Sequence, residues 1–151
     1  MADFNRILIV DDNTDVLWSL KLLLKQHAGS VVIESDPGRI PNHLAAEAFD
    51  VILLDMNFTR DTTTGSEGFH WLDTVLGLDP EAAVVLITGY GDVEMAVRAI
   101  KHGATDFVLK PWDNDKLVET LRSASEKKPR SAAANEASRL KQQLCRLNRK
   151  V

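Results

Sequence analysis

One cysteine, Cys145, stands in the whole chain, so no internal disulfide can form and a reducing, cytoplasmic setting is expected. No apolar run approaches the roughly 20 residues that span a bilayer, which argues against a membrane protein. Met1-Ala2-Asp3-Phe4-Asn5 lacks the basic and apolar regions of a signal peptide, so none is expected. No Gly-rich turn follows the first apolar run, which argues against a dinucleotide-binding Rossmann domain. There is no Gly-x-x-x-x-Gly-Lys-[Ser/Thr] loop for a nucleoside triphosphate, and no room for a helix-turn-helix.

What is present is one domain's worth of chain, 151 residues, 44% hydrophobic and 26% charged, ordinary for a globular protein. The net charge of −4 hides an asymmetry. Residues 1–126 carry 10 basic against 21 acidic side chains, a net −11; residues 127–151 carry 8 basic against 1 acidic, a net +7. A basic tail can serve nucleic acid. No groove-reading motif accompanies this one, so a solvated helix face is the better reading, and direct nucleic-acid binding is not expected.

Extended apolar runs alternate with helical patterns. Ile7–Val10, Val31–Glu34, Val51–Leu54, Ala83–Ile87 and Phe107–Leu109 read as strands. Between them Val16, Leu17, Leu20, Leu23 and Leu24 recur at helical spacing, with Asn13 or Thr14 as N-cap. Residues 41–48 form a weak helix. Phe69, Leu72, Val75 and Leu76 give a third. Val93, Ala96, Val97 and Ile100 give a fourth, stopped by Gly103, and Leu117, Val118 and Leu121 a fifth. Five βα units predict an α/β fold, a mostly parallel sheet wound on both faces by helices. The first, third and fourth strands are the most continuously apolar, so they belong in the middle. Phe58–Glu67 is polar and reads as a loop. After Glu126, Lys127-Lys128-Pro129-Arg130-Ser131 breaks the pattern. Ala137, Leu140, Leu144, Leu147 and Val151 then follow a 3-4-3-4 spacing, the seam of a helix that packs on a partner helix. The expected division is a domain over 1–127 and a linker or coiled-coil helix over 128–151; docking of that helix on its own domain is the competing reading.

The strand ends carry the chemistry. The first run ends in Asp11-Asp12, the third in Asp55, the fourth in Thr88 and the fifth in Lys110-Pro111. In an open parallel sheet the strand C-termini line one edge, where ligands bind. Each residue has a plainer use: Asp11 and Asp12 at a helix N-terminus, Asp55 in a turn, Thr88 as a cap, Lys110 in solvent. All of them falling at strand ends favours a shared site. Clustered carboxylates repel unless a cation intervenes. Oxygen-only ligands select Mg²⁺, with Mn²⁺ as the alternative, and no His or Cys is placed to make a zinc site. Asp55, alone at the end of a central strand, is the candidate nucleophile for an aspartyl phosphate. Lys110 and the Thr88 hydroxyl suit the charge of a phosphoryl group.

Ile9-Val10-Asp11-Asp12, Leu53-Leu54-Asp55, Ile87-Thr88-Gly89 and Leu109-Lys110-Pro111 resemble the motifs of the receiver domain of two-component response regulators, over about residues 6–126. The resemblance implies a flavodoxin-like (βα)₅ fold with strand order 2-1-3-4-5. It implies that Asp55 accepts phosphate from a sensor histidine kinase. Mg²⁺ would be held by Asp12 and Asp55, by the Asn57 backbone carbonyl, and by Asp11 through water. Thr88 would move to the phosphoryl group and Phe107 would be the aromatic switch. The Lys110–Pro111 bond would be cis. Such a domain is not an enzyme but a phosphoacceptor that assists its own Mg²⁺-dependent phosphorylation and dephosphorylation. Val93, Lys101, Asp106 and Trp112 are candidates for an output face on the fourth helix, fifth strand and fifth helix.

Gly68-Phe69-His70-Trp71-Leu72, Thr88-Gly89-Tyr90-Gly91 and Lys110-Pro111-Trp112-Asp113 look most like receivers of NtrC-type, sigma-54-dependent transcriptional activators. There a helical linker leads to AAA+ and DNA-binding domains, and the seam at 137–151 would begin that linker in a homodimer. This chain would then be the regulatory part of a longer protein, or a stand-alone receiver acting by protein contact. A haloacid-dehalogenase-like phosphatase is the enzymatic alternative, but Asp11-Asp12-Asn13 does not supply its Asp-x-Asp. Two features depart from the receiver pattern. Thr59 stands where a proline is usual, and the segment between Asn57 and Gly68 is longer, either a surface insertion or a loop beside the metal. Tyr90, two residues after Thr88, borders the path of the hydrolytic water in the family. Its ring would slow loss of phosphate, with a ring lying idle on the surface as the competing reading; on the first, Tyr90→Ala should shorten the phosphoryl lifetime, and an unchanged lifetime removes the idea.

Overall fold

The computed structural model describes residues 4–56, 66–89 and 93–127. Five strands form one parallel sheet: β1 (Phe4–Val10), β2 (Ala28–Glu34), β3 (Val51–Asp55), β4 (Val84–Gly89) and β5 (Asp106–Lys110), in the order β2-β1-β3-β4-β5. Five helices connect them: α1 (Thr14–Leu24), α2 (Ile40–Ala46, entered by a 3₁₀ turn at Pro37–Arg39), α3 (Ser66–Leu78), α4 (Val93–Lys101) and α5 (Asn114–Lys127). This is the doubly wound parallel sheet that the alternation of runs predicted, in the flavodoxin-like strand order that the resemblance implied. The three runs without polar interruption, in β1, β3 and β4, are the interior strands because both of their faces are covered.

Alternation along each strand builds two cores. Ile7, Ile9, Val51, Leu53, Val85 and Ile87 point to one face, where they meet Leu17, Leu20 and Leu24 of α1 and Leu117 and Leu121 of α5. Leu8, Val10, Ile52, Leu54, Val84 and Leu86 point to the other, where they meet Ile40, Leu72, Val75, Met95 and Ala99 from α2, α3 and α4. Full burial of each Leu, Ile or Val contributes about 1.5–3 kcal/mol of transfer free energy, so the two cores together hold the sheet rigid beneath its C-terminal edge.

Helix starts follow from local hydrogen bonding. Asn13 caps α1, its side chain accepting from the Asp15 and Val16 N–H groups. Asp113 opens α5 in the same way, accepting from Asp115 and Lys116 N–H. Gly103 ends α4 at φ 119°, and a Cβ there would lie 2.8 Å from Leu76 Cδ1. At Gly68 a Cβ would lie 2.6 Å from the Met56 carbonyl oxygen, so α3 crosses the end of β3 only because this side chain is absent.

The helix α4 is where expectation and structure differ in detail. Val93, Ala96, Val97 and Ile100 were expected to form its apolar set, yet Met95, Ala96 and Ala99 are buried while Val93 (43%), Val97 (44%) and Ile100 (36%) are exposed. Both sets recur at helical spacing. The small Ala96 and Ala99 let the helix lie close to the sheet, which decides the rotation. Phe69 of α3 also grips α4, with the Arg98 guanidinium 5.0 Å and the His102 ring 5.4 Å from its centroid. Strands β1 and β2 are longer than expected because their first halves mix polar and apolar residues. The weak helix expected from residue 41 begins at Ile40 and ends at Ala46. The segment 128–151, with its apolar seam, lies outside the described residues.

Candidate functional site: an acidic pocket at the sheet edge

Sheet register assembles the pocket. Val10 pairs with Leu54, so the next residues, Asp11 and Asp55, emerge side by side. Asp55 pairs with Ile87, one step before Thr88. Thr88 pairs with Leu109 and Gly89 with Lys110, which brings the lysine to the same edge. Oxygens of Asp11, Asp12 and Asp55 all lie within 4.8 Å of one another. Lys110 Nζ is 3.2 Å from Asp55 Oδ1 and 3.7 Å from Asp11 Oδ2. The ammonium therefore hydrogen-bonds Asp55 and makes only an ion pair with Asp11. The Lys110–Pro111 bond is cis.

Burial makes this arrangement costly. Asp11, Asp55 and Thr88 are 0%, 1% and 0% exposed, Asp12 is half-buried, and the Lys110 side chain is 31% exposed. Desolvation pushes the Asp11 carboxyl above its ordinary value of 3.8. The Asn13 N–H and the Lys110 charge pull it down and the Asp12 charge pushes it up, but burial prevails. Asp11 Oδ1 accepts from Asn13 N–H at 2.9 Å, while Oδ2 is buried without a hydrogen-bond donor. Among the described residues three carboxylates face the Lys110 ammonium, an excess of two negative charges within that set in their ionised form. That excess, the oxygen-only donors and the orphaned Asp11 Oδ2 fit a hard divalent cation.

At the rim, Glu34 bonds His43 Nε2 at 2.8 Å and accepts from Asp36 N–H. Burial raises Glu34, but these partners outweigh it and hold its carboxyl below the usual range. The main-chain oxygen of Glu34 also accepts from Asp11 N–H at 3.2 Å, tying β2 to the pocket. Sequence reasoning missed this connection, since neither a lone Glu nor a lone His signals it.

Of the residues expected at the site, Asp11, Asp12, Asp55 and Lys110 lie within reach of one another, and Thr88 is buried one residue past the partner of Asp55. Phe107 is half-buried against the α2–α3–α4 core. Val93 and Lys101 are exposed, and Asp106 and Trp112 are half-buried. Asn57, Tyr90 and the 57–65 segment lie outside the described residues. Among the described residues no helix is long and apolar enough to cross a membrane.

Comparison with known proteins agrees with this fold. Residues 7–122 match the response regulator receiver domain, and the chain belongs to that family, a signalling domain of two-component systems. It is 35% identical over 120 residues to the nitrogen assimilation regulatory protein NtrX of Azorhizobium caulinodans, covering 80% of this chain and 26% of that protein. It is 30% identical over 122 residues to the C4-dicarboxylate transport transcriptional regulatory protein DctD of Rhizobium meliloti, covering 81% and 25%. These relatives are regulators of the NtrC type, as the motifs suggested. The chain thus spans about a quarter of the length of the curated relatives it matches. Among solved structures, the N-terminal signal receiver domain of a response regulator from Bacteroides fragilis matches with TM-score 0.74 and 47% identity, covering 80% of this chain and 96% of that one. NtrX from Brucella abortus matches with TM-score 0.76 and 29% identity, covering 93% and 30%.

The buried repulsion has a measurable sign. Asp11 holds its proton more tightly folded than unfolded, so its contribution to stability is full below 3.8 and is lost as pH rises through its raised pKa. In metal-free buffer, Asp11→Asn should therefore raise the urea midpoint at neutral pH, and this gain should vanish in acid. A variant less stable than wild type at neutral pH contradicts the argument.

Proposed function

We propose that the chain is a phosphorylation-controlled switch in which Asp55 accepts a phosphoryl group from the phosphohistidine of a sensor histidine kinase. A carboxylate oxygen of Asp55 attacks phosphorus, the phosphorus–nitrogen bond breaks, and the imidazole nitrogen keeps the electron pair and takes a proton. The observation that carries the reading is the ion pair of Lys110 Nζ with Asp55 Oδ1 at 3.2 Å, set inside an excess of buried carboxylate. Asp55 is thereby oriented, and Lys110 can follow the charge onto the phosphoryl oxygens as the carboxylate becomes an ester. Asp11, Asp12, Asp55 and Asn57 would hold Mg²⁺, or Mn²⁺ in its place, which when bound supplies neutralisation of phosphoryl charge. The Thr88 hydroxyl is the group on β4 suited to bond the new phosphoryl oxygens, and Phe107 the ring that responds on β5. The domain assists its own phosphorylation and dephosphorylation and turns over no separate substrate.

Phosphate would bias a two-state equilibrium read at α4, β5 and α5. The exposed stripe Val93, Val97 and Ile100, spaced i, i+4 and i+7, supports that assignment, and Lys101, Asp106 and Trp112 are further candidates for the face. The output is sigma-54-dependent transcription through AAA+ and DNA-binding domains of a longer cytoplasmic protein. The relatives it matches are about three times its length, and the sequence seam at 137–151 would join a homodimer to those domains.

Incubation with Mg²⁺ and acetyl phosphate, followed by intact mass, tests the reading. Wild type should gain one phosphoryl group and Asp55→Ala none. Labelling of both proteins alike, or of neither, overturns it.

A further inference from the structure

We infer that Asn13 is a positioning residue for the acidic pocket, acting through Asp11; this rests on the cation-assisted phosphoacceptor reading above. Asn13 is held at three points where α1 begins. Its side-chain oxygen accepts from Asp15 N–H at 3.0 Å and Val16 N–H at 3.3 Å, and its carbonyl accepts from Leu17 N–H at 3.1 Å. With the residue so fixed, its own N–H points back and donates to Asp11 Oδ1 at 2.9 Å. A bond from a backbone N–H to a carboxylate is charge-assisted and directional. It divides the two oxygens of a fully buried side chain between two tasks. Oδ1 is tied to the helix start, and Oδ2 is left without a donor, aimed at the pocket 3.7 Å from Lys110 Nζ.

The cap and the pocket are thus one device. The Asn13 side chain, itself exposed and outside the cluster of acids, fixes a backbone amide, and that amide fixes which Asp11 oxygen a cation meets. Without the cap the first turn of α1 frays and Asp11 can swing either oxygen toward Lys110. The pocket must then be reorganised whenever a cation arrives, and affinity falls although no ligand atom has been removed.

The test is calorimetric titration with Mg²⁺ alone, at a temperature where circular dichroism shows every variant folded. Asn13→Ala should weaken Mg²⁺ binding about three- to ten-fold, the scale of a lost N-cap. Asn13→Ser, which restores a capping oxygen, should return within about two-fold of wild type. Val75→Ala, which destabilises the buried α3 face away from the pocket, should leave Mg²⁺ affinity unchanged. Unchanged affinity in Asn13→Ala, with binding intact in wild type, overturns the positioning role alone. Failure of serine to rescue, or weakening by Val75→Ala to the same degree, also overturns it. A wild type that binds no Mg²⁺ overturns both this inference and the reading on which it rests.

Discussion

Repulsion among three carboxylates at the end of a parallel sheet is the constraint on which the rest of this molecule turns. Their oxygens lie within 4.8 Å, two of the three side chains are buried, and among the described residues the half-exposed Lys110 ammonium faces them. The effective penalty for burying a single ion is several kcal/mol even after relaxation, and one lysine offsets only part of it. A pocket built this way is poised: it is relieved by a proton, a divalent cation, or conversion of one carboxylate into an ester. The raised Asp11 proton affinity, the orphaned Asp11 oxygen and the ion pair between Lys110 and Asp55 are three expressions of that tension.

The scaffold can bear the tension because the apolar layers beneath it are closed on both faces. Strand alternation sends Ile9 and Leu53 to the α1–α5 side and Val10 and Leu54 to the α2–α3–α4 side. Each strand then ends in a polar residue at the same height, so sheet register does the work of bringing distant parts of the chain together. The less committed elements lie at the margin. The helix α4 meets the sheet through small side chains, leans on α3 through Phe69, and leaves an apolar stripe in water. A helix held in that way is suited to shift.

Much of this was legible in the sequence, for identifiable reasons. The interior strands announce themselves because Ile7–Val10, Val51–Leu54 and Val84–Ile87 have no polar interruption, and the acids and lysine stand out because each ends such a run. Other features had weak signals. Asn5 and Arg6 hide the start of β1, and Gly29 and Ser30 hide that of β2. On α4 two apolar sets share one helical period, and only the size of Ala96 and Ala99 separates the buried set from the exposed one. The bond from Asn13 to Asp11 was invisible because a cap residue advertises a helix start, not a carboxylate's orientation. The strand order and the cis Lys110–Pro111 bond were available through family resemblance alone, since hydrophobic period carries neither.

The central claim is that charge in this pocket is balanced by a divalent cation at Asp55, the proposed phosphoacceptor. Urea unfolding across a series of Mg²⁺ concentrations tests it most directly. For wild type the account predicts a midpoint that climbs with Mg²⁺, approaching about 1.4 kcal/mol of added stability per tenfold increase once the site is saturated. The climb should be lost when Asp12 and Asp55 are both replaced by asparagine. A wild-type midpoint that is the same in EDTA and in excess Mg²⁺ would contradict the account.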